Sequence, residues 1–308
     1  MRFSARCCAT MKSKSMAMFS GSKFVVSVTL FGLSAFVAAT AAYKPIVIVH
    51  GLFGKPCNFL VMARRIEQAH PGTEVSTISL YDGYRSLAPM WDQARGLIHK
   101  MQPIMSRAPQ GVHLLCYSQG GLLCRAALSL LSLHNVDTFI SLASPQMGQY
   151  GGKSLFQKAL PMARTHVHNI CYNGLGQRLS ICNYWNDPLH QEKFETNSKF
   201  LAVINNQTHS PHADAWKRNF LRINNLVMVG GPGEDVVMPW QSSFFETYDE
   251  HLGILGMTAQ EVYTQDSFGL RTLDEAGNLT KCVVPYVRHL QFPFDRYTFE
   301  KCILQWLT

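Results

Sequence analysis

Charge is scarce in this chain: only 16% of its 308 residues are Asp, Glu, Lys or Arg. No internal repeat or low-complexity linker interrupts it, and no run beyond residue 42 is long and apolar enough to span a bilayer. No two cysteines have CxxC spacing, and no His/Cys pattern suggests a zinc site. A clustered Lys/Arg stripe is also missing, which argues against a nucleic-acid partner. What is present is 47% apolar residues, the composition of a globular protein with a sizeable core. The formal net charge of +8 is misleading, because Arg2, Arg6, Lys12, Lys14 and Lys23 lie in the first 42 residues, which contain no acid. Without them, 23 basic residues face 20 acidic ones, about +3. Twelve histidines would add charge in an acidic compartment.

The first 41 residues read as a signal peptide and residues 42–308 as the mature protein. Lys12, Lys14 and Lys23 precede an uncharged apolar run from Phe24 to Val37, and Ala39-Thr40-Ala41 supplies an A-x-A cleavage pattern. A retained signal anchor is the alternative, but the run is shorter than the ~20 residues a span needs. Seven cysteines remain after cleavage, and an oxidising compartment would pair six of them. The sequence-local pairing is Cys116–Cys124, Cys171–Cys182 and Cys282–Cys302, which leaves Cys57 outside the bridges; spacing alone leaves the connectivity open. Asn206-Gln207-Thr208 and Asn278-Leu279-Thr280 are glycosylation sequons if the chain enters the secretory pathway.

Short β-branched runs alternate with helical patterns. Strands are expected at 45–49, 74–80, 112–116, 138–142, 226–229 and near 282–284, and helices at 58–70, 90–107, 120–133 and about 297–307. This alternation predicts an α/β fold, a mostly parallel sheet with helices on both faces. The rhythm breaks between about 145 and 222, a stretch rich in Asn, His, Gln and aromatics, which reads as a helical cap inserted after a central strand.

The strongest local signal is Cys116-Tyr117-Ser118-Gln119-Gly120-Gly121, with a strand running in and a helix running out. That context is a nucleophile elbow, in which a sharp turn lifts a serine hydroxyl above the carboxyl edge of the sheet. Cys116 stands where the usual motif has glycine; an ordinary strand-to-helix loop with a capping serine is the plain alternative. His50-Gly51-Leu52-Phe53-Gly54 follows the first strand, so the amides of Leu52 and Gln119 are the candidate oxyanion donors. His50 itself is read as shaping that loop. The general base should lie late in the chain, and His289, between the last strand and last helix, is the candidate; His251 sits in a polar stretch and reads as solvent-facing. The acid that orients the base should come from Glu234 or Asp235, in the loop after the 226–229 strand.

These residues carry a resemblance. Ile48-Val49-His50-Gly51-Leu52-Phe53, the hexad around Ser118 and Ser144-Pro145-Gln146-Met147-Gly148-Gln149-Tyr150-Gly151 are similar to segments of the palmitoyl-protein thioesterases. Ser180-Ile181-Cys182-Asn183-Tyr184-Trp185 and Pro239-Trp240-Gln241-Ser242-Ser243-Phe244-Phe245 continue it. The resemblance runs from about Lys44 to the C-terminus and is closer to the lysosomal type 2 branch than to type 1. It implies an α/β-hydrolase fold and a lysosomal acyl-thioester hydrolase that needs no metal or organic cofactor. Ser118 matches the family nucleophile, His289 the base, and the six cysteines the type 2 pattern. Counting back from Pro239-Trp240 puts Glu234 on the family's catalytic Asp, while residue type favours Asp235. The implied partner is a fatty acyl thioester substrate. No obligate protein partner is implied, and peripheral contact with a membrane is compatible with such a substrate. An esterase or lipase acting on oxygen esters, or an inactive acyl-chain-binding protein, are the competing readings.

Overall fold

The four central strands of the sheet are apolar runs because both of their faces are buried. The computed structural model describes residues 43–151 and 166–308; the expected leader and part of the expected insertion lie outside that range. Eight strands are formed within it: β1 (Ile46–Val49), β2 (Val75–Thr77), β3 (Val112–Tyr117), β4 (Val136–Leu142), β5 (Asn225–Gly230), β6 (Thr247–Tyr248), β7 (Ile254–Leu255) and β8 (Leu279–Val283). Six of them make one parallel sheet in the order β2-β1-β3-β4-β5-β8, and β6 and β7 form a small antiparallel hairpin.

Register explains the apolar runs. Val47, Leu114, Phe139 and Leu226 align across four strands and enter one core cluster, whereas the next row, Ile48, Leu115, Ile140 and Val227, enters the other. Successive side chains point to opposite faces, so a sheet covered on both sides demands apolar residues at every position. Helices α2 (Met90–Ser106) and α3 (Gln119–Leu130) bury residues in the first cluster, and α1 (Leu60–Ala69) in the second. Helix α2 buries Met90, Ala94, Leu97, Met101 and Ile104, a one-sided helical stripe, and runs through Pro103. Helix α3 is buried all round.

Where it is described, the insertion between β4 and β5 forms five short α-helical segments, Val167–Cys171, Ser180–Asn183, Gln191–Asn197, Leu201–Ile204 and Ala213–Phe220, and a 3-10 turn at Gly176–Arg178. Fully buried Arg125 ties it to α3, donating to the Gln146 carbonyl (3.1 Å) and Asn205 Oδ1 (2.8 Å) and lying over the rings of Phe245 and Phe268. The bridges are Cys116–Cys124, Cys171–Cys182 and Cys282–Cys302. Asn206 and Asn278 are both partly exposed. No helix among the described residues is long and apolar enough to cross a membrane.

Three expectations need correction. The strand expected at 74–80 closes after Thr77, because the chain turns into a 3-10 segment at Gly83–Leu87. The last strand lies earlier than 282–284, since its pairing with β5 begins at Leu279. The expected final helix is three short turns: α over Arg296–Thr298, π over Phe299–Ile303 and 3-10 over Leu304–Trp306. Cys302 within it is held to Cys282 of β8, and Phe299, Ile303 and Leu307 must all reach the same core face.

Buried His134 closes the lower end of β4. Its Nδ1 accepts from the Val136 amide (3.3 Å), so its Nε2 donates to the Asn219 carbonyl (2.8 Å), a neutral tautomer. Burial pulls its pKa down from 6.5 to about 4. Between those values the unfolded chain takes up a proton that the folded one does not, so stability falls as pH falls. Chemical denaturation of the wild type and His134→Gln at pH 7 and pH 5 should show about 2 kcal/mol less acid destabilisation in the variant; equal pH dependence would contradict this account.

Candidate active site

In an open parallel sheet the loops at the strands' carboxyl ends share one edge, and the crevice opens where strand order reverses. Here that reversal is at β1, flanked by β2 on one side and β3 on the other. The loop after β1 and the turn after β3 therefore meet. Ser118 follows β3 directly and starts α3, with φ 54° and ψ −130°. That backbone is costly for a non-glycine residue and is held by its surroundings. The Ser118 amide donates to the Leu142 carbonyl of β4 (2.9 Å), and the Ser118 carbonyl accepts from the Gly121 amide (2.9 Å). Gly51 and Gly120 let the two segments touch. A Cβ at Gly51 would stand 2.6 Å from the Ser118 Cβ, and one at Gly120 would stand 2.6 Å from the His50 carbonyl oxygen.

His289 opens a 3-10 turn after β8, and Glu234 lies in the loop after β5. Its Nε2 is 2.9 Å from Ser118 Oγ, and its Nδ1 is 2.7 Å from Glu234 Oε2. The second Glu234 oxygen accepts from the amides of Val236 (2.7 Å) and Val237 (3.1 Å). The Glu234 and His289 side chains are only 1% and 5% exposed, so the pair interacts with little solvent screening. With a carboxylate on Nδ1, that nitrogen carries the proton and Nε2 is left to accept from the serine.

Asp235 does not reach the ring. Its Oδ1 accepts from the His289 backbone amide (3.1 Å), its Oδ2 lies 3.4 Å from Arg288 Nε, and its side chain is 41% exposed. Asp235 as the orienting acid is therefore corrected: adjacent residues of one loop point different ways, and only Glu234 faces inward. Tyr117 holds the other side of His289, donating from its hydroxyl to the His289 carbonyl (2.8 Å) with the rings 4.9 Å apart. Burial, reinforced by the negative Glu234 and Asp235, raises the Tyr117 pKa well above 10 and keeps that hydroxyl a donor. Tyr117 lies in the serine hexad, yet the sequence assigns it no role; its only signal is an aromatic beside the nucleophile position.

The Leu52 amide has no hydrogen-bond acceptor among the described residues. Gln119 is the first residue of α3, where an amide has no helical acceptor. His50 Nδ1 is 2.9 Å from the Gly51 carbonyl and its Nε2 3.0 Å from Asp82, so the ring braces the loop and makes no hydrogen bond to Ser118. His251 lies in solvent, its side chain 85% exposed. Elsewhere, His168, Asp187 and His190 gather ligand-type atoms within 4.8 Å of one another, a grouping the sequence spacing hides. The two imidazoles are stacked with centroids 3.6 Å apart and planes 22° from parallel. The His168 and His190 Nδ1 atoms lie 3.8 and 3.2 Å from Asp187 Oδ2.

The family model for palmitoyl protein thioesterases matches residues 45–289. Lysosomal thioesterase PPT2 of Homo sapiens is 48% identical over 269 residues, covering 87% of this chain and 89% of its own. The PPT2 homolog of Drosophila melanogaster is 39% identical over 271 residues, covering 88% and 94%. Palmitoyl-protein thioesterase 1 of Caenorhabditis elegans is 26% identical over 272 residues, covering 81% and 87%. Among solved structures, Bacillus licheniformis lipase BlEst2 in its propeptide form superposes with a TM-score of 0.51 at 18% identity. It covers 87% of this chain and 51% of that one, a likeness of fold.

Gly120→Ala would force a Cβ to 2.6 and 2.7 Å from two carbonyl oxygens of the β1 segment, where no flexible side chain can yield. We expect a loss of about 1–3 kcal/mol in chemical denaturation. Gly174→Ala, which meets open space, should stay within about 0.5 kcal/mol of wild type. Equal stability of the two variants would contradict the close approach.

Proposed function

The chain belongs to the palmitoyl protein thioesterase family, and on that premise we propose that it is a lysosomal serine thioesterase acting on long-chain fatty acyl thioesters. The observation that carries the chemistry is the buried line Glu234–His289–Ser118, with contacts of 2.7 and 2.9 Å. Ser118 Oγ transfers its proton to His289 Nε2 as it attacks the thioester carbonyl. The developing oxyanion takes hydrogen bonds from the amides of Leu52 and Gln119. The C–S bond breaks, the sulfur leaves as a thiol with the proton from His289, and an acyl-serine remains. Water, deprotonated by His289, hydrolyses that ester and frees the acid. Glu234 keeps the imidazole in the right tautomer and balances its transient charge. No step calls on a metal or organic cofactor.

Substrate class rests on family membership, since the same triad cleaves oxygen esters. Contact with a lipid surface is supported by exposed apolar residues on either side of His289. Tyr286, Leu290, Phe294 and Tyr297 are 89%, 74%, 46% and 53% exposed, and Tyr286, Phe294 and Tyr297 line an open groove with Val284 and Pro285. Aromatics of this kind suit a boundary between water and hydrocarbon.

Three measurements test this function. Ser118→Ala should lower kcat on palmitoyl-CoA by at least about 10⁴-fold with an almost unchanged melting temperature; unfolding instead would make Ser118 structural. Glu234→Gln should cost about 10³–10⁴-fold and Asp235→Asn about tenfold or less, and the reverse ranking would remove Glu234 from the triad. Palmitoyl-CoA should be cleaved faster than a matched oxygen ester; a strong preference for the ester would favour the lipase reading.

A further inference from the structure

Ser86 lies in the 3-10 turn Gly83–Leu87, far from Ser118 in sequence and 1% exposed. Its hydroxyl accepts from the Phe53 amide (2.7 Å) and donates to the Gly83 carbonyl (2.5 Å). Phe53 follows Leu52 and has φ 58°, a left-handed backbone that a phenylalanine adopts only under restraint. The carbonyl of Ser86 accepts three more hydrogen bonds: from Gln119 Nε2 (2.9 Å), Gln93 Nε2 (2.8 Å) and Ser180 Oγ (2.8 Å). Gln119 is fixed further by Gln93 Oε1 (3.3 Å) and by the Tyr184 hydroxyl (3.2 Å). One buried residue thus holds the loop that carries the first oxyanion amide, the side chain of the residue that carries the second, and the first turn of an insertion helix.

We propose that Ser86 is a positioning residue that sets the separation of the Leu52 and Gln119 amides and couples it to the seating of the insertion through Ser180. The inference rests on the thioesterase reading above. Ser86 touches no reacting atom. It acts because an oxyanion hole works only when its donors are already aimed at the charge that develops, and a strained loop without its restraint would drift. The hydroxyl is the part that matters for Phe53. The carbonyl, which any residue supplies, keeps Gln119 and Ser180 in place.

The test compares wild type, Ser86→Ala and Ser180→Ala in the full chain. Removing one oxyanion donor outright costs ~10²–10³ in rate, so displacing one should cost about tenfold. Ser86→Ala should therefore lower kcat on palmitoyl-CoA about tenfold with KM within about twofold. The rate of Ser118 labelling by a fluorophosphonate, whose phosphoryl oxygen occupies the same hole, should fall in parallel. Ser86→Thr, which restores a hydroxyl, should recover most of the rate. Ser180→Ala should give a smaller fall in kcat, again with KM unchanged. Unaltered kcat and labelling in a folded Ser86→Ala protein would overturn the proposal. So would a loss of kcat that merely tracks a lowered melting temperature and is shared by Ser86→Thr. If Ser86→Ala does not fold, Ser180→Ala decides the coupling, and an unchanged kcat there overturns it. Failure of the wild-type protein to label at Ser118 would instead sink the thioesterase reading itself.

Discussion

The site depends on one tight contact: the turn from β3 into α3 pressed against the loop leaving β1. Ser118 takes an unfavourable backbone there so that its hydroxyl stands above the sheet edge. The cost is offset by its neighbours. Helix α3 is buried on every side, the Ser118 amide is tied to β4, and Cys116–Cys124 bridges the strand before the turn to the helix after it. Gly51 and Gly120 carry no Cβ because none would fit. Relaxing any of these would let the serine fall into ordinary helical geometry, and the alignment with His289 would go with it.

That alignment also explains which parts of the chain can be read in one dimension. Ile46–Val49 and Val112–Tyr117 announce buried strands because each residue must face a core, and the helix after Ser118 follows from the elbow motif. The insertion is legible only as a break in rhythm. Its described α-helices are four to eight residues long, too short to build a periodic stripe. The last helix misleads because its apolar spacing is met by tightening and widening successive turns. Ser86 gives no signal at all. Apart from the local Gly83 carbonyl, its partners are Phe53, Gln93, Gln119 and Ser180, and nothing within Gly83–Leu87 hints at these four.

The lysosomal function proposed above would place the fold under a specific electrostatic load. Buried neutral histidines such as His134 and His113 have pKa values lowered chiefly by desolvation. Acid therefore favours the unfolded chain, in which these rings can protonate freely. Three disulfides act in the opposite sense whatever the pH, since they restrict the unfolded ensemble. Arg125 makes a tie of another kind, one whose charge persists through the acid range even though burial lowers its pKa to about 9. Among the described residues it has no carboxylate partner; its Nη2 donates to the Gln146 carbonyl and the Asn205 amide oxygen, and its guanidinium lies over two aromatic faces. Acid has no carboxylate to protonate there, so the joint between α3 and the insertion survives conditions that weaken ordinary salt bridges.

The same logic separates the two consecutive carboxylates at 234 and 235. A glutamate has one more rotatable bond than an aspartate, which would ordinarily blur its aim. Here the amides of Val236 and Val237 both grip Glu234 Oε1, and only Oε2 is left to meet the imidazole. The longer side chain is thus made rigid by its own loop. Asp235, one residue on, is too exposed to act on the ring, but it fixes the main chain from which the ring hangs, while Tyr117 fixes that main chain from the other side. Orientation of the imidazole is therefore shared: Glu234 sets the tilt of the ring, and Asp235 with Tyr117 sets the position of its backbone. A loop of two acids that looks redundant in the sequence holds two different coordinates of one histidine.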